Sequence, residues 1–266
     1  MDRDLGGHDV GRDFERDLGD ELPPAIRDAP PDYLTPLDAS APVSGHTPPA
    51  RSSARAADAP EHDWARAQRI IYPAFRPVGT KGLALDSINL ATLTAHSAQS
   101  HAQPIIDEGP GGLPVVYTIS ADGFDIVVNG DHLLSWAVDP AAIQDAALAN
   151  LARWSAGAAW TNETSGNRRL LSSETGDGWD AARLLLPEAV ARFATDLGPY
   201  GRILVGIPER HLLTAGSLAP NDPEFAALFA DFVLEQSGGA DEPIDRRLFE
   251  LVDGRLVVFE GVAPGL

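Results

Sequence analysis

A chain of 266 residues with 44% hydrophobic content is long enough to bury a sizeable core, and its net charge of −19 excludes nucleic acid, which needs a clustered cationic surface. The same charge repels anionic lipid headgroups, and no window approaches the roughly 18 apolar residues of a membrane span. Cysteine is absent, which removes disulfides, thiolate zinc sites and cysteine nucleophiles.

Met1 to Asp20 alternates Asp, Glu and Arg without the apolar run of a secretory signal, so a cytoplasmic location is expected. Prolines then recur up to Asp63 among Ala, Ser and Asp, and too few apolar side chains are present to offset ordering entropy. Residues 1–63 are therefore expected to be a disordered tail, and residues 64–266 a single α+β domain.

Composition changes at Trp64. Trp64 to Tyr72 either begins a helix or leads into a strand bounded by Pro73 and Pro77. Leu83 to Thr94 reads as helical, and His96 to Pro114 as a loop ending in glycines. Val115–Ser120 and Phe124–Asn129 alternate as strands around an Ala121-Asp122-Gly123 turn. Asp139 and Pro140 open a helix whose apolar stripe is Ile143, Ala147, Leu151 and Trp154.

Asn167 to Ser172 reads as a strand. Asp177 is expected to start a helix with Asp180 at its third position, an acidic variant of the capping box. Pro187 opens a stretch bearing Val190, Phe193, Ala194 and Leu197, and Gly198 ends it. The continuous apolar run in Arg202–Ile207 predicts a strand buried on both faces. From Asp222, the residues Phe225, Leu228, Phe229, Phe232 and Val233 form one helical face. Asp253-Gly254 then turns a hairpin that pairs Leu251 with Leu256, Phe249 with Val258 and Arg247 with Glu260. The expected fold is a mainly antiparallel sheet with helices packed on one face.

No phosphate loop, dinucleotide fingerprint, HExxH or GxSxG motif is present, so no cofactor is expected. His96 and His101, five apart, do not share a helical face, which argues against a metal pair. Asn162-Glu163-Thr164 is a glycosylation sequon by letter only.

Five segments carry a resemblance in the right order. They are Arg69-Ile70-Ile71-Tyr72-Pro73-Ala74-Phe75-Arg76, the helix from Ala146 ending in Asn150-Leu151, and Asp177-Gly178-Trp179-Asp180-Ala181-Ala182-Arg183-Leu184, followed by Ile203–Leu212 and Glu242–Phe259. Together they resemble the DUF1444 family of uncharacterised bacterial proteins, also called the YtpQ or UPF0354 family. The resemblance covers the whole expected domain and not the tail. Trp179 stands where a tyrosine is expected, and a Pro-rich tail stands in place of that family's N-terminal region. The resemblance implies a relative in fold and supplies no mechanism.

The candidate binding residues are Arg76, Asn150, Asp180, Arg183 and Arg210. Each also has a purely structural explanation. Asn150 can bond backbone groups inside the core, Asp180 can cap a helix or pair with Arg183, and Arg76 can sit in a salt bridge. Glu209, Arg210 and His211 follow a buried strand, where loops often carry function. His211 is the candidate catalytic group, and it would need a second positioned carboxylate such as Asp241 or Glu242. The expectation is a non-catalytic module that binds another protein. The alternative is a metal-independent hydrolase built on His211.

Overall fold

Pro60–His62 forms a 3-10 turn, and the Trp136 indole donates to the Glu61 carbonyl at 2.8 Å, so packing starts shortly before Trp64. The computed structural model describes residues 59–94, 101–121 and 124–261, all within one unit spanning Arg51–Leu266. The expected tail lies outside the described residues as far as residue 58, as do His96 and the Asp122-Gly123 turn.

Two mostly antiparallel sheets replace the expected single one, and helices cover them, so the fold is α+β. The first sheet comprises β1 (Ile71–Phe75), β2 (Leu83–Ala84), β3 (Ile105–Glu108), β4 (Pro114–Ala121) and β5 (Phe124–Val127). Strand β4 is its hub, pairing with β1, β3 and β5. Strand β1 runs through Pro73, which the sequence treats as a boundary. Proline is tolerated there because β1 lies at the sheet edge.

The helix expected over Leu83–Thr94 breaks into β2, a 3-10 turn and α2 (Leu90–Leu93), after α1 (Trp64–Ala67). Parallel pairing of Leu83 with Ile105 outcompetes local helix propensity. The same pairing makes a strand of β3, inside the expected loop. A helix that the sequence did not signal, α3 (Gly130–Trp136), starts at Asn129, whose side chain and that of His132 complete a capping box.

Helix α4 (Pro140–Gly157) starts as expected, with the Asp139 side chain accepting from the Ala141 amide at 2.8 Å. Ile143 and Ala147 pack with Leu133, Trp136, Ile71, Tyr117 and Ile119. The Tyr117 hydroxyl donates to Asp107, which also accepts from Gln144, and burial raises the Tyr117 pKa.

The second sheet runs β11-β10-β8-β9-β7-β6. Its strands are β6 (Thr161–Ser165), β7 (Arg168–Ser173), β8 (Arg202–Glu209), β9 (Leu212–Leu218), β10 (Leu248–Val252) and β11 (Arg255–Val258). The sequon falls on β6, which the polar sequence did not reveal. Strand β8 is buried on both faces. Leu204 faces α6 (Pro223–Gly239), with Phe225, Phe229 and Val233, while Val205 and Ile207 face α5 (Pro187–Asp196) with Phe193 and the first sheet's Phe75 and Val115. Two residues assigned to apolar faces, Leu228 and Ala194, are exposed.

The C-terminal hairpin has the expected register, Leu251 opposite Leu256 and Phe249 opposite Val258. The Arg247–Glu260 pair does not form, because Arg247 instead holds Asp245 through Nε and Nη2. Asp253 and Gly254 have φ of 50° and 75°, the left-handed geometry of a two-residue hairpin turn. A Cβ on Gly254 would meet nothing within 4 Å, so only the backbone opposes a side chain. Gly254→Val should therefore lower stability by about 1–3 kcal/mol, read by denaturant unfolding.

Candidate functional site

The six residues singled out in the sequence fall into two groups. Asn150, Asp180 and Arg183 lie in the interior, and Arg76, Arg210 and His211 lie together at one end of the second sheet.

Asn150 is buried on α4 beside the free edge of β1. Its amide donates to Ile71 O at 2.8 Å and Gln68 O at 3.0 Å, and its carbonyl accepts from Arg153 at 3.0 Å. It thus satisfies a carbonyl that no neighbouring strand takes up.

The expected helix at Asp177 is a 3-10 turn, Ala181–Leu185, and Asp180 makes no side-chain cap bond to it. That expectation is corrected: the Asp180 carboxylate turns inward, fully buried. It accepts from the Ser173 hydroxyl at 2.5 Å, the Thr175 amide at 3.1 Å and the Thr175 hydroxyl at 2.9 Å. Ser173 stands between Asp180 and Arg183, accepting from Arg183 Nη1 at 2.8 Å.

Arg183 is 2% exposed and places all five of its N–H donors. Beyond Ser173, it donates to the carbonyls of Ser155, Ala158 and Ala159 at 3.0–3.3 Å and to the Ser155 hydroxyl. These carbonyls end α4, where a cation is favoured. Its guanidinium lies 3.9 Å from the centre of the Trp160 ring. Burial lowers its pKa to about 10, against the raising effect of Asp180, so it stays charged at neutral pH.

The second group surrounds the turn between β8 and β9. Arg210 binds Asp125 at 2.5 Å, and its guanidinium is 3.6 Å from Glu242. Arg76, just after β1, reaches the same Glu242 oxygen at 3.3 Å. Gly178, at φ 84°, packs on Arg210, where a Cβ would fall 2.7 Å from Nη2. The Ala181 amide also donates to the Arg210 carbonyl at 3.1 Å, which ties the turn to the interior network.

Beside this turn opens a cleft of about 560 Å³ lined by Glu209, Arg210, His211, Glu235, Gln236 and the loop from Gly239 to Glu242. His211, Asp241 and Glu242, named together from sequence, all line this cleft, with no hydrogen bond or ion pair between His211 and either carboxylate among the described residues. Arg76 reaches the rim through Glu242, whereas Arg183 lines a different cavity with Trp160 and Arg192. Glu235 was missed, because only folding brings the end of α6 to this turn. The His211 Nδ1 and Arg210 Nε are buried and have no hydrogen-bond partner among the described residues. No lining residue carries a hydroxyl or thiol that a histidine could activate.

No protein-family model, curated protein or solved structure matches the chain. The resemblance in sequence therefore rests on its five segments alone.

The interior group should behave as scaffold. Arg183→Met strands Asp180 as a buried charge and takes the donor from the Ala158 and Ala159 carbonyls just past α4, so unfolding should be easier by about 3–5 kcal/mol. Asn150→Leu should cost roughly 1–3 kcal/mol for its orphaned carbonyls. Arg76→Ala, losing a half-exposed pair, should cost no more than about 1 kcal/mol. Urea unfolding of the three variants checks this ordering.

Proposed function

We propose that this chain is a non-catalytic binding module that takes a cationic group of another protein, a lysine or arginine side chain, into the cleft beside the β8–β9 turn. The cleft itself carries the reading. Four carboxylates, those of Glu209, Glu235, Asp241 and Glu242, line it, and its one guanidinium is already neutralised by Asp125 and Glu242. The carboxylates of Glu209, Glu235 and Asp241 make no ion pair among the described residues. Such a volume accommodates a side chain, and uncompensated charge of one sign attracts the opposite. The chain's overall charge of −19 acts in the same direction. Membership of the DUF1444 family forms part of this proposal, on the five segments that resemble it.

Fluorescence anisotropy with a labelled lysine- and arginine-rich peptide tests the reading. Binding should weaken as salt rises, because solvent-exposed charges are screened beyond a Debye length of about 8–10 Å. Glu235→Gln combined with Asp241→Asn should weaken it about tenfold, equivalent to roughly 1.4 kcal/mol. Equal binding of an acidic peptide, or indifference to the double variant, would refute it. Ester turnover lost in His211→Ala would favour the hydrolase instead.

A further inference from the structure

The second sheet ends in two open edges of different character. Strand β6 is exposed along its whole length and polar, Thr161-Asn162-Glu163-Thr164-Ser165. Strand β11 begins with the exposed Arg255 and is apolar after it: Val257 is 44% exposed and Val258 41%, with Val252 beside them at 41%. Exposed apolar side chains on an open edge are a template for another strand, and on β11 only Arg255 stands against such pairing.

The hydrogen-bond phase of β11 defines what fits. The Phe259 amide donates to the Leu248 carbonyl at 2.9 Å, which makes that pair hydrogen-bonded. Bonded pairs alternate along an antiparallel ladder, so Glu250–Val257 and Val252–Arg255 are bonded as well, given the observed register. The backbone groups of Leu256 and Val258 therefore point away from β10, toward the open edge. Among the described residues, no strand lies beyond β11 in the sheet.

We infer that β11 pairs antiparallel with β11 of a second copy, about a two-fold axis through Val257. A symmetric pair must place opposite residues on the same face, so the axis has to pass through a residue. With Val257 at the axis, Leu256 of one copy faces Val258 of the other, twice, and these are the residues with free amides and carbonyls. Val257 meets its own symmetry mate, and Arg255 lies opposite Phe259 of the second copy, a cation beside an aromatic ring. Centring on Leu256 would instead set Val258 against Gly254 of the turn, and centring on Val258 would set Leu256 against Glu260 beyond the strand, so only the axis at Val257 pairs both outward residues within β11. The contact is a strand edge and small, so the dimer is weak and depends on concentration. Two copies of charge −19 also repel, so salt strengthens the dimer, the reverse of its effect on a cationic peptide.

Sedimentation velocity on the full chain, across concentration and salt, tests this. The expected result is a monomer–dimer equilibrium that shifts toward dimer as either rises. Val258→Pro removes an outward amide without touching a bond to β10, and Val257→Lys adds a charge at the axis. Each should abolish dimerisation with little change in melting temperature, while Asn162→Lys on β6 leaves it intact. Proton exchange at the Leu256 and Val258 amides should slow in the wild type as concentration rises. A wild type that stays monomeric at high concentration and salt, a dimer that survives both β11 variants, or one lost in Asn162→Lys overturns the assignment.

Discussion

A guanidinium excluded from water needs five acceptors, and an interior rarely offers five unless it is built around the group. Arg183 has them from three places at once: the last turn of α4, the stretch leading to β6, and Ser173 at the end of β7. Asp180, three residues earlier on the same segment, closes the circuit through Ser173 and Thr175. The short segment from Thr175 to Asp180 can then take only one course. It sets Trp179 against Tyr72 of the first sheet, ring centres 4.4 Å apart, and lays Gly178 against Arg210. The position of the β8–β9 turn, and so one wall of the cleft, depends on a charge buried well away from it.

This dependence explains what could be read from the sequence. Features set by neighbours were legible: the Asp139 cap, strand β4 (though Val115 to Ile119 are all buried and do not alternate), the two-faced burial of β8 and the Asp253-Gly254 turn. Strands defined by distant partners were not. Strand β6 is wholly polar, β3 ends in Asp107-Glu108, and β9 reads Leu-Leu-Thr-Ala-Gly-Ser-Leu without alternation because every residue is buried. In the site, a position just after a buried strand was enough to single out Glu209, Arg210 and His211. The interior partners of Asn150 and Arg183 lie up to 82 and 28 residues away, and no local pattern points to them. Asp180 shows the limit best. Its spacing from Asp177 fits a cap, yet the donors of Ser173 and Thr175 hold the carboxylate inward.

The distribution of arginine gives the acidic surface its meaning. Lys81 is the only lysine, so positive charge resides almost entirely in guanidiniums, whose planar fork suits fixed carboxylate partners. They are used in that way: Arg168 holds Asp222, Arg202 holds Glu250, Arg210 holds Asp125 and Arg247 holds Asp245. Bonding to Arg168 and Arg202 keeps Asp222 and Glu250 below the usual carboxylate range. Cations committed inside the molecule cannot answer the carboxylates left at its surface. Around the cleft, Arg76 and Arg210 face Asp125, Glu209, Glu235, Asp241 and Glu242, so the excess is negative however the pairs exchange. The described residues around the cleft leave that excess without compensation. Mobile counterions can supply it, and a partner's fixed lysine or arginine, as proposed, would do so in one place and release those ions.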